Sequence, residues 1–562
     1  MKIDDLIFGN AQLTDGVFHF DSGVFAYSDG DSAEKYIHDV VQSATDISSQ
    51  SAELEGKIVD WSSRYHFSAS RANCFRAVNF KAGVRILEIG SGCGSITRYL
   101  GETGLEVIAL EGSRRRAAIT RSRTRDLPNV TVICGSFSEV KFKTSFDYVI
   151  CNGVLEYAPL FVKSDDPADA FVKQMSELVA TDGALLLAIE NKLGLRYFTA
   201  GKEEHTGILY DGIEDYSRFP NGAKTHSKAG LLKLIGKYFD KTQLLLPLPD
   251  YKFPRAIIRE ELTALVDCGE LFGVMEDYAF PTMTRANFHQ RLGWHSVADA
   301  GLLGDLSNSH FLIAHKGSIE VLEQNWQGEI FKRDHANNTF KSSRIVSKQV
   351  DGKVAIGVLD GLPSPDGSDT FSPWIDGRSL HSLIAAAMLR KGKKSLGAPD
   401  IHQQLSAWWS AIGRDSEGKI SSRNIDAIWR NAIYKNLSIT LIDQELASTA
   451  STSGTHLLYR SVLNFVYDEM PFVHRWSRQN RFLTERQLVL KVAAIVGLNI
   501  TTTDLLGAVR EEILYQANLG NGRANYLSRA VRMITPIAMI RSIGDIRSTT
   551  SSLSKRIKNR LS

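Results

Sequence analysis

The sequence predicts an α/β fold for its first half, with a parallel sheet covered by helices on both faces. Between residue 84 and about residue 250, short β-branched runs alternate with segments of helical period, the pattern of successive βαβ units. The runs VRILEI (84–89), EVIALE (106–111), VTVIC (130–134), DYVIC (147–151) and ALLLAI (184–189) are apolar throughout rather than alternating, as strands buried on both faces must be. Among the intervening stretches, DAFVKQMSELVA (169–180) repeats its apolar residues at helical spacing. Upstream, residues 1 to about 80 are mixed and end in the aromatic and basic stretch WSSRYHFSASRANCFRAVNF (61–80). Beyond about residue 320 the character changes: a Gly/Ser/Pro/Asp-rich patch, LDGLPSPDGSDTFSP (359–373), precedes mostly helical periodicity. At about 150 residues per domain, a chain of 562 residues holds three or four folding units.

Composition excludes several classes. With 66 Lys+Arg against 63 Asp+Glu the formal charge is only +3, too little for the dominant basic field of a dedicated nucleic-acid binder. The N-terminal MKIDDLIFGNAQ lacks an apolar stretch fit for a signal peptide. The apolar run VAAIVGLNI (492–500) is far shorter than the roughly 20 residues a spanning helix needs. Five scattered cysteines without a CxxC indicate neither a disulfide framework nor a zinc site, so the expected setting is reducing and cytoplasmic.

The strongest motif is LEIGSGCGSITRYL (87–100), an apolar strand that runs into Gly90-x-Gly92-x-Gly94, with a helix starting near Ser95. Glycines at this spacing let the backbone turn sharply and lie directly against a ligand. Glu111 ends the next strand, where an acidic side chain accepts hydrogen bonds from ribose hydroxyls. Both a dinucleotide and an S-adenosyl compound fit that much. The dinucleotide pattern GxGxxG requires a third glycine where this chain has Ser95, and Glu88 sits two residues before the first glycine. A carboxylate is unfavourable beside a pyrophosphate and favourable beside a ligand with an ammonium and a sulfonium. Both details favour S-adenosylmethionine (SAM).

On these residues the segment 84–190 resembles the class I SAM-dependent methyltransferases. The resemblance implies a Rossmann-like seven-stranded sheet, with Glu88, Gly90, Gly92 and Gly94 in the glycine motif and Glu111 as the ribose-binding acid. It places Ser136 and Phe137, in CGSFSEV (134–140), beside the adenine, although the family usually has Asp or Glu where this chain has Ser136. In FDYVICNGVLEYAPL (146–160) it turns Asn152, Glu156 and Tyr157 toward methionine and acceptor. It also implies N-terminal helices closing over the cofactor, with Tyr65 or Arg71 reaching the methionine carboxylate. The motifs YHFSASRAN, LEIGSGCGSITR, NGVLEYA and AIENKLGLRYF are similar to a bacterial methyltransferase group of cell-surface polysaccharide assembly.

Methyl transfer is an in-line displacement at carbon with a neutral thioether leaving, so the enzyme's work is alignment, plus deprotonation where the acceptor is a hydroxyl. The segment AIENKLGLRYFTAGKEEHTGILYDGIEDYSRF (188–219) is rich in Gly, aromatic and acidic residues, as an acceptor site requires. Glu190, Asn191 and His205 are its candidates for acceptor contact, and His205 or Glu156 is the candidate base. Aromatics with carboxylates also suit a sugar, which offers both apolar faces and hydroxyls.

In the second half, SPWIDGRSLHSLI (372–384) resembles the hinge and following helix of kinase-like phosphotransferases. NIDAIWRNAIYKNLSITLIDQEL (424–446) places Asp426 five residues before Asn431, with Asp443 after a short apolar strand, the spacing of a catalytic Asp and two magnesium ligands. There is no Gly-rich phosphate loop, Asn424-Ile425 replaces the His-Arg expected before the Asp, and nothing selects among Lys332, Lys348 and Lys353 as a phosphate contact. The expectation is therefore a degenerate kinase-like domain of mainly helical α+β type, with Mg-ATP binding an open alternative. The final residues 532–562 hold seven Lys/Arg against Asp545, with interleaved Ile and Met, a tail suited to the surface of an anionic membrane.

The expected organisation is an N-terminal region (1–83), a methyltransferase domain (84–318) with its acceptor loop (190–226), a kinase-like domain (319–530) and a basic tail (531–562). The expected activity is O-methylation of a sugar hydroxyl on a bacterial surface glycan or a lipid-linked precursor, in the cytoplasm or at the inner membrane face. A bifunctional methyltransferase/kinase that caps a polysaccharide, an NAD-dependent oxidoreductase and a non-enzymatic scaffold are the alternatives.

Overall fold

The computed structural model describes residues 3–20, 30–274, 286–317, 321–334, 339–347, 353–359, 371–414, 419–421, 424–442, 452–518, 529 and 532–537. The chain forms two units, one of Met1–Phe198, Lys202–Val266 and Gly301–Trp374, the other of Thr199–Gly201, Asp267–Ala300 and Ile375–Ser562.

The first unit is built on one sheet with fourteen strands among the described residues: β1 (Gln12–Thr14), β2 (Val17–His19), β3 (Arg85–Ile89), β4 (Glu106–Glu111), β5 (Val130–Cys134), β6 (Phe146–Asn152), β7 (Val179–Glu190), β8 (Lys241–Leu248), β9 (Ala256–Arg259), β10 (Ser309–His315), β11 (Trp326–Asp334), β12 (Thr339–Ser347), β13 (Val354–Leu359) and β14 (Ser372–Pro373). Their spatial order is β14-β13-β12-β11-β9-β8-β10-β7-β6-β3-β4-β5-β2-β1. All neighbouring pairs from β2 through β7 are parallel, and the remaining pairs are antiparallel. The five strands expected from the sequence are all present, within two residues of their predicted ends except at the start of β7. Their apolar continuity has the predicted cause: Ile86, Leu87, Val107, Ile108, Val149, Ile150, Leu186 and Leu187 are completely buried.

Strand order fixes where a ligand can sit. From β3 the chain moves outward through β4 and β5, then returns to lay β6 on the other side of β3. The connections after β3 and β6 thus leave in opposite directions and open a crevice at the carboxyl ends of these two strands. The N-terminal region covers it. Asp60 caps helix Trp61–Phe67 in a reciprocal capping box with Ser63. Phe67 packs with Ile37 and Val41 of helix Asp31–Ser43, with Cys93 of the glycine turn and with Ile119 of helix Arg114–Arg123. The Arg123 guanidinium, itself buried, donates to the His66 carbonyl and locks that helix in place.

Two expectations differ from the structure. The sheet extends beyond seven strands, and strands β11 to β14 belong to it, where the sequence reading opened a new domain at residue 319. Unpaired backbone on an edge strand such as β9 is satisfied by adding strands, and β9 pairs with β11 through Ile257↔Glu329. The units divide at Trp374, just after the Gly/Ser/Pro/Asp-rich patch, most of which (360–370) lies outside the described residues. Residues 267–300, assigned from sequence to the first domain, belong to the second unit.

The second unit is mainly helical, with helices Leu380–Leu389, Pro399–Ala411, Gly454–Glu469, Glu485–Ile495 and Thr502–Asn518 and a three-stranded antiparallel sheet of Arg378–Ser379, Ala432–Lys435 and Ser438–Leu441. An aromatic chain forms its core: Trp408 meets Trp429 at 6.1 Å, Trp429 meets Phe465 at 5.5 Å, and Phe465 stacks on Trp476 at 5.7 Å. Of the segment expected as the tail, the described residues pack in this unit: Arg532 pairs with Glu485, and Met533 and Ile537 are buried in its core. Residues 538–562 lie outside the described residues. No described helix is long and apolar enough to cross a membrane.

Leu187, on the central strand β7, is completely buried, and its truncation leaves a cavity. Leu187→Ala is expected to destabilise the first unit by about 2–5 kcal/mol, read by urea unfolding followed through far-UV circular dichroism.

Candidate functional site

The glycine turn follows β3 directly. Gly90, Gly92 and Gly94 all have positive φ, at 74°, 58° and 77°. Their reasons differ. A Cβ on Gly90 meets Val154 Cγ2 at 2.6 Å, and one on Gly94 meets the Thr120 backbone at 3.0 Å, so these two glycines permit close packing. A Cβ on Gly92 meets only His66 Cε1 at 3.6 Å, so Gly92 is the glycine that leaves ligand space open. Glu111, at the end of β4, accepts the Gly92 N–H at 2.8 Å and the Ser113 N–H at 2.9 Å, which pins the turn to the neighbouring strand. Burial raises the Glu111 pKa, against the pull of Arg116 and these two N–H groups.

A cleft of about 1050 Å³, counting its open mouth, lies over this turn. Glu88, the three residues Gly90–Gly92, Glu111, Ser136, Phe137 and Asn152 all line it, together with Tyr65, Arg71 and Tyr157. Every residue predicted from sequence for the cofactor is therefore at one cavity, apart from Gly94, which supports it from behind. Both side-chain atoms of Asn152 are buried without a hydrogen-bond partner, and so is Arg71 Nε. Buried amide and guanidinium groups left unpaired are costly, and a polar ligand satisfies them. Arg71 is held by its Nη1 donating to the Lys252 carbonyl at 3.0 Å and by stacking 3.9 Å over the Tyr65 ring. Glu88 accepts from the Thr97 hydroxyl at 2.6 Å, and burial lifts its carboxyl to about 7 in spite of that bond.

The three candidate catalytic residues converge although they come from three segments. Glu156 lies in the turn Leu155–Tyr157 after β6, Glu190 ends β7, and His205 follows in the loop beyond. Ligand-type atoms of all three lie within 4.8 Å of one another. The Tyr157 ring connects cleft and cluster, lining the first and meeting the His205 ring edge-on at 5.3 Å. His205 is neither a helix cap nor solvated: its side chain is buried, with Nδ1 donating to Glu203 Oε1 at 2.9 Å and Nε2 3.9 Å from Glu156 Oε1. Burial depresses its pKa, but Glu156 and Glu203 outweigh this and hold it well above the usual imidazole value. A raised imidazole pKa favours the charged form, which makes Glu156 the better placed of the two candidate bases. Burial, then Glu190, raises the Glu156 pKa. Burial also opposes the Glu190 charge, but the Lys252 ammonium outweighs it and lowers that pKa. The acceptor-loop candidate Asn191 has a structural role, its amide donating to the Asp305 and Ser307 carbonyls at 2.7 Å each.

Sequence reasoning missed the second ring of the cluster. Lys252 Nζ bridges Glu190 and Glu204, and Tyr251 donates to Glu190 Oε1 at 3.1 Å. Arg196 pairs with Glu204 at 2.5 Å and with Asp250 at 2.7 Å. The only sequence signal for these was the unusual density of carboxylates at 203–204, which calls for cations nearby.

In the second unit the structure does bring Asp426 and Asn431 together, Asn431 Nδ2 donating to the Asp426 carbonyl at 2.9 Å and to Oδ2 at 3.2 Å. Arg460 donates to the other carboxylate oxygen at 2.9 Å and also pairs with Glu512. Both oxygens of Asp426 are thus engaged within the protein. Lys332 is on β11 and Lys353 immediately precedes β13, whereas Asp443 and Lys348 lie outside the described residues.

Residues 87–187 match the family model described as "Methyltransferase domain". An uncharacterized methyltransferase of Staphylococcus carnosus is 33% identical over 103 residues, 18% of this chain and 45% of that protein. The mitochondrial ubiquinone biosynthesis O-methyltransferase of Schizosaccharomyces pombe is 29% identical over 151 residues, 26% of this chain and 53% of that protein. The chain thus spans about half the length of these curated relatives. Among solved structures, phosphoethanolamine N-methyltransferase 2 of Haemonchus contortus aligns with a TM-score of 0.28 and 18% identity, over 44% of this chain and 52% of that one.

The raised Glu88 pKa makes a pH prediction. Its folded value of about 7 exceeds the ordinary 4.5, so stability is full below 4.5 and declines as pH rises through about 7. Glu88→Gln is expected to match the wild type in acid and to exceed it above about pH 8 by about 1–3 kcal/mol, read by urea unfolding across pH.

Proposed function

We propose that this chain is a SAM-dependent methyltransferase that transfers a methyl group to a hydroxyl of a bacterial surface glycan or its lipid-linked precursor. The observation that carries the cofactor is the single cleft over the glycine turn, which gathers Glu88, Gly92, Glu111, the unpaired Asn152 amide and Arg71. Each suits one part of SAM. Glu111 retains lone pairs for the ribose hydroxyls beside the two N–H groups it accepts. Phe137 and Ser136 line the adenine side, Asn152 and Arg71 meet the amino-acid end, and Glu88 supplies negative charge for a cationic ligand. A dinucleotide fits less well, because Glu88 lies where its pyrophosphate approaches.

Support for hydroxyl methylation comes from the buried carboxylates next to the cleft. In the proposed step the acceptor O–H proton passes to Glu156, the acceptor oxygen forms a bond to the methyl carbon, and the C–S bond breaks with its electron pair retained by sulfur as a neutral thioether. A raised carboxyl pKa suits Glu156 to this proton transfer. The Tyr157 ring, which lines the cleft, and the carboxylates behind it together offer an apolar face and hydrogen-bond acceptors, the combination a sugar needs.

The test is incubation of the full chain with isotope-labelled SAM and a lipid-linked glycan extract, followed by mass spectrometry for the gain of one labelled methyl group. Glu156→Gln is expected to lower turnover about 10²–10⁴-fold with SAM affinity little changed. Gly92→Asp is expected to abolish SAM binding by calorimetry, since its side chain enters the ligand space. Retained binding in that variant overturns the assignment. Because a cationic ligand favours ionised Glu88, SAM binding near neutral pH is expected to release protons, seen as a dependence of the calorimetric enthalpy on buffer ionisation.

A further inference from the structure

We propose that Glu156, Glu190 and His205 bind one divalent cation of the class that takes mixed oxygen and imidazole ligands, such as Mn²⁺ or Zn²⁺. The three residues each present one ligand atom, all within 4.8 Å of one another, and small side-chain rotations bring them to the roughly 4 Å or less that separates ligands of one ion. Glu156 and Glu190 are each only 1% exposed, and Oε2 of both is buried without a hydrogen-bond partner. Two such unpartnered carboxylate oxygens in one buried cluster are expensive, and a divalent cation among them lowers that cost. Lys252 does not supply it to both, because its ammonium engages Glu190 through Oε1 and turns its other contact to Glu204.

The histidine is arranged as a ligand. Glu203 accepts the Nδ1–H at 2.9 Å and is itself fixed by the backbone N–H groups of His205 at 2.8 Å and Thr206 at 2.7 Å. This leaves Nε2 as the ring atom facing Glu156, where a bound cation displaces its proton, with a carboxylate behind the ring to set its orientation, an arrangement recurrent behind metal-bound histidines. Two carboxylates with one imidazole suit Mn²⁺ or Zn²⁺ better than a purely oxygen-seeking ion. Three protein ligands also leave coordination positions for water or for an acceptor hydroxyl, whose acidity a cation increases. Ligation through one oxygen leaves the second oxygen of Glu156 able to accept the hydroxyl proton. The assigned role of the cation, though not its binding, rests on the methyl-transfer reading above.

The full chain, stripped of metal by chelation, is titrated with Mn²⁺ while the free ion is followed by electron paramagnetic resonance, and SAM binding is measured in parallel by calorimetry. One Mn²⁺ per chain is expected to bind. Glu203→Ala, which removes the carboxylate behind the ring and leaves the three ligands in place, is expected to weaken it about 10–100-fold. The double variant Glu156→Gln/Glu190→Gln is expected to lose it while still binding SAM. Wild-type protein that binds SAM but leaves both Mn²⁺ and Zn²⁺ free overturns this site alone; failure to bind SAM as well overturns the cofactor reading too. Should the double variant fail to fold, His205→Ala decides: unchanged Mn²⁺ affinity in that variant overturns the proposal.

Discussion

The site depends on one carboxylate. Glu111 stands at the end of β4 and accepts backbone N–H groups from Gly92, on the neighbouring strand's turn, and from Ser113, at the start of the next helix. A glycine-rich turn has many conformations open to it, and this bidentate tie selects one. The selected turn leaves Gly92 facing open space, puts Gly90 against Val154 and sets Gly94 against Thr120. The covering N-terminal helix reaches the same place through His66, whose ring approaches Gly92 and whose carbonyl Arg123 grips. Floor, wall and cover of the cleft are thus referred to one short segment between two parallel strands.

The second constraint is the divergence of β3 and β6. It places Asn152 and Gly153 opposite the glycine turn and sends the chain on through Glu156. The antiparallel strand β10 then pairs with β7 up to Glu190, and the Tyr251 amide is fixed to Ser309 Oγ at 2.8 Å. Sheet register therefore fixes Glu190, while the loop carrying His205 is fixed by charge, through Glu203, Glu204, Arg196 and Lys252. This buried network meets the cleft at Tyr157, whose ring lines the cleft and packs edge-on against His205.

The central strands and the cofactor residues were legible in the sequence because they rest on local rules: continuous apolar runs for β3 to β6, glycine spacing for the turn, and an acid one strand later. Convergence of Glu156, Glu190 and His205 was legible as composition, since aromatics and carboxylates crowd residues 188–219. Their partners were not. Lys252 and Tyr251 arrive through pairing of β8 and β10, a contact about sixty residues distant that no local pattern encodes. The raised pKa of His205 likewise depends on Glu203, two residues away, and on Glu156 from another segment, and only the second of these is invisible in sequence. The boundary near residue 319 was misplaced for a related reason: edge pairing of β9 with β11 joins segments whose composition differs. The turn-rich patch that ends at residue 373 was the better marker.

The claim on which this account stands is that the cleft holds an S-adenosyl compound. The most direct measurement is a calorimetric titration of the full chain with S-adenosylhomocysteine and, separately, with NADH. The account predicts one bound S-adenosylhomocysteine per chain, with no measurable heat from NADH. Saturable NADH binding without S-adenosylhomocysteine binding would contradict it.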